Sequence, residues 1–151
     1  MSNFTDIKME YKDKKGFFDI SITDNGDLEQ DQSFDTSLNC AILTDGRADN
    51  TEVNEIEKQR GTIVDLFTNN NNGSKLWLLE QARADLNTKN RSTDYVKNAL
   101  KFLVEEKFCK NISVSSKLTV DGIILMITIE RLNGVFDNYN YNAWEKSIYK
   151  V

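Results

Sequence analysis

The chain has 151 residues, of which 39% are hydrophobic and 28% are charged, and its formal net charge is −5. This length and composition predict one globular domain, residues 1–151, with a modest core. The negative charge disfavours nucleic acids and anionic membranes as partners, because both bind basic surfaces. No apolar run approaches the roughly 18 residues of a membrane span, and the first residues lack a signal-peptide core, so we expect synthesis in a cytoplasm.

Histidine is absent from the sequence, and the two cysteines, Cys40 and Cys109, lie far apart. The lack of imidazole excludes catalytic triads with a histidine base, and two distant cysteines alone do not make a four-ligand zinc site. In a reducing compartment such cysteines are most often buried apolar thiols. The sequence therefore predicts no catalytic centre of these kinds, no metal site and no cofactor.

Short strands are predicted near the start of the chain. Residues 17–22 (FFDISI) have the composition of a strand. Asn25 and Gly26 are a strong hairpin-turn signal because both accept a positive φ, so residues 28–31 are the predicted return strand. Residues 7–11 indicate a third, weaker strand.

A helix and a long irregular segment follow the predicted hairpin. Apolar residues recur at helical spacing from Phe34 to Ile42, so a helix capped by Ser33 is predicted to end near residue 43. Residues 45–73 show no regular period and include four consecutive asparagines. Compact domains seldom contain a structureless loop of more than about 15 residues, so a functional loop and a disordered segment both stay open as interpretations.

Two further helices are predicted after the loop. Residues 76–79 (LWLL) would begin a helix that is capped by Ser74 and runs to about residue 84. Four adjacent large apolar side chains cover more than one face of a helix, which raises the question of what covers the rest. Residues 95–108 repeat apolar positions at spacings of three and four, which predicts a helix beginning at Ser92 or Thr93.

From residue 111 the apolar period changes to two, which is typical of strands. Turn signals at Gly122 and Gly134 divide this region into three strands that form an antiparallel meander ending at residue 141. Residues 142–151 are predicted to be a short polar tail. The order of elements predicts an α+β fold, with an N-terminal β-hairpin and three helices packed on an antiparallel sheet.

Two surfaces are candidates for contact with other proteins. Trp77 and Leu78 could face a partner, although the apolar residues around them could equally fill the core. The end of the meander is rich in aromatic residues, which often anchor interfaces, and an exposed sheet edge can accept a partner strand. The candidates at this end of the chain are Phe136, Tyr139, Tyr141 and Trp144.

Catalytic chemistry has less support in the sequence. Carboxylates are plentiful between residues 45 and 57, so a paired-acid hydrolase stays an alternative, but no pair of acids stands out. Residues 72–75 lack the spacing of a phosphate-binding loop, and residues 24–27 are explained by a hairpin turn without invoking a calcium loop. We therefore expect no hydrolase activity, and clearing of a cell-wall suspension by the protein would contradict this expectation.

Four blocks of sequence carry a family resemblance by their order and spacing. They are residues 38–48 (LNCAILTDGRA), 60–61 (RG), 73–83 (GSKLWLLEQAR) and 95–103 (YVKNALKFL). On these blocks, over roughly residues 17–141, the chain resembles the Mu-type phage baseplate wedge family, which is similar to the T-even lysozyme-like wedge protein and sheath initiator. Gly46 stands where a second arginine is expected, residues 62–64 replace expected aromatic residues, and the asparagine run is an insertion.

The resemblance implies a structural role in the baseplate of a contractile tail, in a phage or in a bacteriocin-like particle assembled in the host cytoplasm. The implied partners are other wedge proteins, central tube or spike proteins and the first ring of sheath subunits, with six copies of the chain per particle. Arg47 and Arg60 are expected to contact these partners or to hold the loop in place. The alternatives are a tail-associated cell-wall hydrolase and a soluble adaptor unrelated to tails, which neighbouring genes would distinguish.

Overall fold

The computed structural model describes residues 5–12, 17–67, 72–143 and 147–151. These residues form the predicted α+β fold, and none of their helices is long and apolar enough to cross a membrane. The helices are α1 (Asp35–Leu43) and α2 (Leu86–Glu105). The strands are β1 (Asp6–Ile7), β2 (Met9–Lys12), β3 (Phe17–Ile20), β4 (Gln30–Asp31), β5 (Asn111–Thr119), β6 (Gly122–Glu130), β7 (Phe136–Asn142) and β8 (Ser147–Lys150).

A four-stranded antiparallel sheet in the order β5-β6-β7-β8 forms the C-terminal part of the fold. The predicted three-stranded meander is confirmed as β5, β6 and β7, with Leu118 opposite Ile123 and Leu125 opposite Tyr141. Strand β8 extends this sheet from within the segment predicted to be a polar tail. Ile148 packs against the core from β8, and a strand with one inward apolar residue shows too little alternation to be recognised from sequence.

The core lies between the two helices and one face of this sheet. Strand β6 supplies alternate residues to it, because successive side chains of a strand point to opposite faces. Cys109 is buried in this core, as predicted, whereas Cys40 lies exposed on α1, contrary to the prediction. The buried core residues are Phe34, Leu38, Ala41, Ile42, Val96, Leu100, Leu103, Cys109, Val114, Ile123, Leu125, Ile127, Ile129, Tyr139 and Tyr141.

Helix α2 begins about two turns earlier than the sequence predicts. Its cap is Asp85, whose side chain accepts a hydrogen bond from the Thr88 amide at 2.8 Å. Ser92 and Thr93, the predicted caps, lie inside the helix, where their hydroxyls donate to the Lys89 carbonyl at 2.8 and 3.0 Å. This local bonding satisfies both hydroxyls without interrupting the helix, so residues that favour caps are tolerated in its interior.

The helix predicted over residues 74–84 is wrong. The structure has only a short 3-10 turn there, Leu76–Leu79, so the described residues contain two α-helices and not three. Only Leu79 of this turn is buried, and Leu76 packs at the margin of the core. The backbone just before the turn is held in a bridge to Asp45, and the Trp77 indole donates to the Gly46 carbonyl at 2.8 Å, so contacts with a distant segment hold these residues in place of a longer helix.

The N-terminal strands are more interleaved than a simple hairpin. The predicted turn is present, because Ile22 and Leu28 form an antiparallel bridge across it. However, β3 pairs with β2, and β4 pairs with β1. The third strand predicted over residues 7–11 is therefore divided into β1 and β2, which pair with the two strands of the predicted hairpin. The pairing of such short strands depends on contacts distant in sequence, and the apolar periodicity of a segment gives no information about those contacts.

Helix α1 ends at Leu43, as predicted, and its start is tied to the sheet. Phe34 occupies the cap position without a side-chain cap, although the Ser33 hydroxyl accepts from the Asp35 amide at 3.2 Å. The Phe34 amide donates to the Tyr139 hydroxyl at 3.2 Å. A side chain from β7 therefore satisfies the amide at the cap position, and Ser33 serves the next amide, that of Asp35.

Candidate partner-binding site

The irregular loop is closed at its two ends by a short parallel contact. The Gly46 amide donates to the Ser74 carbonyl at 2.7 Å, and the Ser74 amide donates to the Thr44 carbonyl at 2.9 Å. The buried Ser74 hydroxyl donates to the Ile42 carbonyl at 2.6 Å, which anchors this contact to the end of α1. We call this region the loop clamp and define it by residues 45–47, 60–61 and 73–79.

The two backbones of the loop clamp approach too closely for ordinary side chains. Gly73 has a φ of +85°, and a Cβ atom added there would lie 2.4 Å from the Thr44 carbonyl oxygen. A Cβ atom at Gly46 would lie 3.1 Å from Gly73. Gly73 needs both the positive φ and the missing side chain of glycine. Gly46, which replaces the expected arginine, suits the close approach because it has no side chain.

Trp77 and Arg60 connect the three segments of the loop clamp to one another. The Trp77 indole Nε1 donates to the Gly46 carbonyl at 2.8 Å, and the Arg60 guanidinium lies 4.6 Å from the centroid of the indole ring. Arg60 also forms ion pairs with Asp45 at 2.9 Å and with Glu80 at 3.6 Å. A planar guanidinium can stack and form ion pairs at the same time. Arg60 therefore contacts both the segment that contains Asp45 and the segment that contains Trp77 and Glu80.

Arg47 is placed differently from Arg60, although both belong to the loop clamp. A Cβ atom at Gly61 would lie 2.7 Å from the Arg47 Cβ atom, so the Arg60-Gly61 backbone packs directly on Arg47. The Arg47 Nη1 atom donates to the Arg60 carbonyl at a long distance of 3.5 Å. A bond this long holds the guanidinium weakly, so Arg47 is the more available of the two for a partner's carboxylate.

A second set of charges holds the start of the loop against the clamp and α2. The Lys75 ammonium lies 2.7 Å from Asp49 and 2.8 Å from Glu52, and the Tyr95 hydroxyl donates to Glu52 at 3.3 Å. Burial opposes ionisation of Glu52, but the hydrogen bonds from Lys75, the Asp49 amide and Tyr95 outweigh it and lower the pKa of this carboxyl. The acids of the loop therefore act as structural ion-pair partners here.

The outer part of the loop is ordered by polar contacts but turns apolar side chains outward. The buried Gln59 amide donates to Asn50 at 2.6 Å and to the Val53 carbonyl at 3.0 Å. Thr62 and Asp65 form a capping box, with the Thr62 amide donating to Asp65 at 2.6 Å. Apolar side chains presented by an ordered loop are typical of contact surfaces. Those exposed here are Ile56, Ile63, Val64 and Phe67.

The structure separates the aromatic candidates of the C-terminal sheet into surface and core. Phe136 is 59% exposed on the outer face of β7. Tyr139 and Tyr141 are 1% and 3% exposed, and burial raises the pKa of both hydroxyls, that of Tyr141 to about 12. A partner can reach these two rings only if the core opens, and Trp144 lies outside the described residues.

A charge cluster around the buried Asp137 connects β7 to its neighbours. The sequence did not indicate this cluster. Asp137 accepts hydrogen bonds from Arg131 and from Lys150 of β8, the latter at 2.6 Å. Arg131 also donates to the Gln32 carbonyl at 2.8 Å and lies 5.2 Å from the Phe34 ring centroid. Arg131 lies six residues before Asp137, and Lys150 lies on the next strand. The alternation of Asp137 with the inward Tyr139 and Tyr141 could have indicated that Asp137 is buried.

The structure shows what covers the four adjacent apolar side chains of residues 76–79. Leu79 is buried, Leu76 packs at the edge of the core, and Trp77 is covered by the loop through Gly46 and Arg60. These residues also border a pocket of about 260 Å³ between the clamp and the sheet, where Tyr141 forms part of the opposite wall. The loop therefore covers much of the turn, and Leu78 stays half-buried at its outer side.

Comparison with known proteins places this arrangement in a family. The sequence profile of a family described as phage protein GP46 matches residues 34–135, from the start of α1 to the turn before β7. The chain belongs to the phage protein GP46 family. This GP46 chain is 28% identical over 142 residues to the baseplate protein gp46 of Escherichia phage Mu, an alignment that covers 92% of the chain and 96% of the relative.

These matches confirm the resemblance to the Mu-type baseplate family. The region that the family profile matches contains α1, the whole loop clamp and α2, which hold the four resembling blocks, and it continues through β5 and β6. The matches support a structural role in a phage baseplate. The family profile ends at residue 135, just before Asp137 of the charge cluster.

Proposed function

We propose that this chain is a structural protein of a phage baseplate and that it offers the free edge of β5 to a strand from a neighbouring sheath subunit. The observation that supports the proposal most is the length of this edge. Strand β5 has nine residues in unbroken register with β6, and no described residue pairs with its other side. An unpaired edge presents backbone donors and acceptors that template another strand.

Strand β5 is a better acceptor than β8, the strand at the opposite edge. Strand β8 has only four residues, and Lys150 is held by Asp137 of the neighbouring strand. Short edge strands are one way in which proteins limit pairing with other chains. Strand β5 contains a single lysine, Lys117, and no proline, and its inner face packs on α2, so its edge is long and well supported.

The register identifies which amides of β5 are available. Thr119 and Gly122 close a two-residue turn, so they form a hydrogen-bonded pair, and pairing then alternates along the strand. The amides at 111, 113, 115, 117 and 119 therefore face β6. Those of the intervening residues face the free edge, and among these residues Leu118 has the most exposed side chain.

The loop clamp supplies a second contact surface in this proposal. Arg47 and the exposed apolar residues of the loop would meet other wedge proteins, while Arg60 and Trp77 keep that surface in shape. Helix α2 contacts both β5 and the turn Leu76–Leu79 of the clamp. This arrangement suits a protein that joins wedge and central tube proteins to the first sheath ring, in six copies per particle.

A role in hydrolysis receives less support from the loop acids. A general acid in a glycosidase needs a raised pKa, and its partner carboxylate must face the substrate. Here Asp45 is paired with Arg60, Asp49 and Glu52 are paired with Lys75, and the pKa of Glu52 is lowered. We therefore propose that these acids maintain the loop and that the protein acts without catalysis.

The proposal is tested by Leu118→Pro in particles assembled with the variant. Proline removes one edge-facing amide and is tolerated at sheet edges, so the isolated protein should keep its fold. We expect baseplates that contain the variant but carry sheath poorly, as counted by electron microscopy. Leu118→Ala is the matched control, because it shortens the same side chain and keeps the amide.

Images of intact particles give the outcomes that decide the proposal. A sheath strand beside β5 in the first ring would support it. Normal sheath on Leu118→Pro particles, with β5 facing solvent in the reconstruction, would overturn strand addition at this edge. Absence of the chain from the baseplate would overturn the structural role itself.

A further inference from the structure

The N-terminal strands have their apolar side turned away from the protein. We define the N-terminal ribbon as residues 5–12 and 17–31, which contain β1 to β4 and the turn after β3. In most half-buried sheets the apolar side faces the core and the polar side faces water. The ribbon shows the reverse arrangement, and it lies before residues 34–135, which the family profile matches.

Three residues, Lys8, Ser21 and Glu29, determine which side of the ribbon faces the rest of the protein. The Lys8 amide donates to the Glu29 carbonyl at 2.8 Å, the Ser21 amide to the Lys8 carbonyl at 2.9 Å, and the Glu29 amide to the Ser21 carbonyl at 2.9 Å. At this junction Ser21 is buried, and the Lys8 ammonium lies 2.8 Å from the Glu29 carboxylate. The inward side of the ribbon is therefore polar.

Polar contacts also attach the ribbon to α1. The Thr36 hydroxyl donates to the Ile7 carbonyl at 2.7 Å and accepts from the Met9 amide at 3.1 Å. The Ser37 hydroxyl donates to Asp6 at 2.9 Å. Directional bonds of this kind fix the orientation of the ribbon, so its outward side does not reach the core by a simple rotation.

The outward side of the ribbon presents aliphatic residues, which we call the aliphatic face. Ile22 and Leu28 are direct cross-strand partners, and Ile20 precedes Ile22 by two positions on the same side. The face consists of Ile7, Ile20, Ile22 and Leu28, which are 41%, 48%, 65% and 53% exposed. A cluster of exposed aliphatic residues on paired strands marks a contact site.

The charge around the aliphatic face restricts the partner. Residues 17–31 contain five acids, Asp19, Asp24, Asp27, Glu29 and Asp31, and no lysine or arginine, and the whole ribbon has seven acids against two lysines, Lys8 and Lys12. Two copies of this ribbon face to face would bring like charges together, and lipid or nucleic-acid phosphates would be repelled as well. The matching surface is apolar at its centre and basic at its rim.

We propose that the aliphatic face docks on an aliphatic patch, rimmed by lysine or arginine, of a different protein in the same baseplate. The partner's apolar patch would cover Ile20, Ile22 and Leu28, and its basic rim would meet Asp24 and Asp27. This inference rests on the proposed structural role, and it adds a third contact surface to β5 and the loop clamp. Apolar burial supplies affinity at such a site, and the charges supply specificity.

The direct test places a photo-crosslinking amino acid at position 22 of the full chain and assembles particles with it. After irradiation, mass spectrometry of purified particles identifies the peptide attached at this position. We expect a peptide of another particle protein with lysine or arginine near aliphatic residues. Attachment to a second copy of the chain, attachment to its own residues 1–4 or 13–16, or no attachment would overturn the inference.

Competition measures the contribution of the face. Tagged wild-type and variant chains are expressed together, and their ratio in purified particles is determined. We expect Ile22→Asn combined with Leu28→Asn to lower incorporation by about tenfold, which corresponds to the loss of one modest apolar contact. Leu132→Asn is the matched control, since Leu132 is 55% exposed in the turn between β6 and β7.

Neutralising the rim separates charge from apolar contact. Asp24→Asn with Asp27→Asn should lower incorporation most at low ionic strength, because salt already screens these charges at higher concentrations. Equal incorporation of all variants and wild type would overturn the inference, whereas absence of wild-type chain from particles would overturn the proposed function instead. Melting curves of the purified variants confirm that each one still folds.

Discussion

Gly73 and Gly26 share a φ of +85°, but only Gly73 has backbone atoms against the place where a side chain would stand. The difference depends on which segment lies opposite, and for Gly73 that segment is the end of α1. Asp137 offers a second example, because its neighbours in sequence do not include the two cations that surround it. Single residues thus carry constraints that come from distant parts of the chain.

Gly73→Ala should destabilise the protein more than Gly26→Ala. Both variants place alanine at the same unfavourable φ, which costs about 1 kcal/mol, but only the first forces Cβ to 2.4 Å from the Thr44 carbonyl oxygen. We expect an additional loss of about 2 kcal/mol for Gly73→Ala, measured by urea unfolding. Equal losses for the two variants would show that the loop clamp relaxes freely.

Asp137→Asn should destabilise the protein at neutral pH and remove part of its acid sensitivity. Burial opposes ionisation, but Lys150 and Arg131 outweigh it and hold the pKa of Asp137 below its ordinary value of 3.8. A folded pKa below the unfolded one adds stability that is complete above the ordinary value and is lost as pH falls through the folded pKa. We expect a loss of about 2 kcal/mol at neutral pH, because Asp137 is buried but both cations are partly exposed and can be solvated in the variant.

The measurement for Asp137 compares free energies of unfolding at neutral pH and near pH 3. The difference between variant and wild type should shrink as pH falls, because the wild-type carboxylate then becomes protonated. Asp121→Asn in the exposed turn before β6 serves as control and should track the wild type. A difference that stays constant with pH would mean that the charge of Asp137 contributes nothing.

At the scale of elements, the segment 74–84 shows how packing overrides local pattern. Its apolar residues suit a helix, yet the structure keeps one 3-10 turn between a parallel bridge and the cap of α2. The loop before it, which shows no period, is held by ion pairs, a capping box and the stacked Arg60. Order in this element comes from specific contacts and not from propensity.

Arg60→Gln should loosen the loop and leave the global fold nearly unchanged. Arg60 is partly exposed, so its ion pairs and ring contact together contribute about 1 kcal/mol. We expect faster amide exchange for the loop, particularly at Ala48, whose amide donates to the Gln59 carbonyl. Arg47→Gln is the control, because the Arg47 guanidinium makes one long hydrogen bond to the described part of the chain, and equal exchange in both variants would contradict the role assigned to Arg60.

At the scale of the whole molecule, three surfaces surround a compact two-layer core. The β5 edge, the outer loop and the aliphatic face each present groups that the described residues do not cover. Two of them lie wholly within the residues that match the GP46 family, and the third lies before those residues. A protein that joins several neighbours needs separate surfaces of this kind, and the particle experiments above test two of them independently.

The sequence by itself determined the fold class, the end of α1, the meander and the family. Those features follow from apolar periods, from glycine turns and from blocks of residues in fixed order, which are all local signals. Three of the four resembling blocks meet at the loop clamp, a contact that the sequence alone did not predict.

Only the tertiary structure decided the start of α2, the absence of a helix at 74–84, the strand β8 and the sidedness of the N-terminal ribbon. It also moved Tyr139 and Tyr141 from the candidate surface into the core. Strand β8, the ribbon and the segment 74–84 depend on partners distant in sequence, whereas the start of α2 was decided by a local cap, Asp85, in competition with Ser92 and Thr93. Periodicity records which side of a segment is apolar, but packing decides which side faces the core.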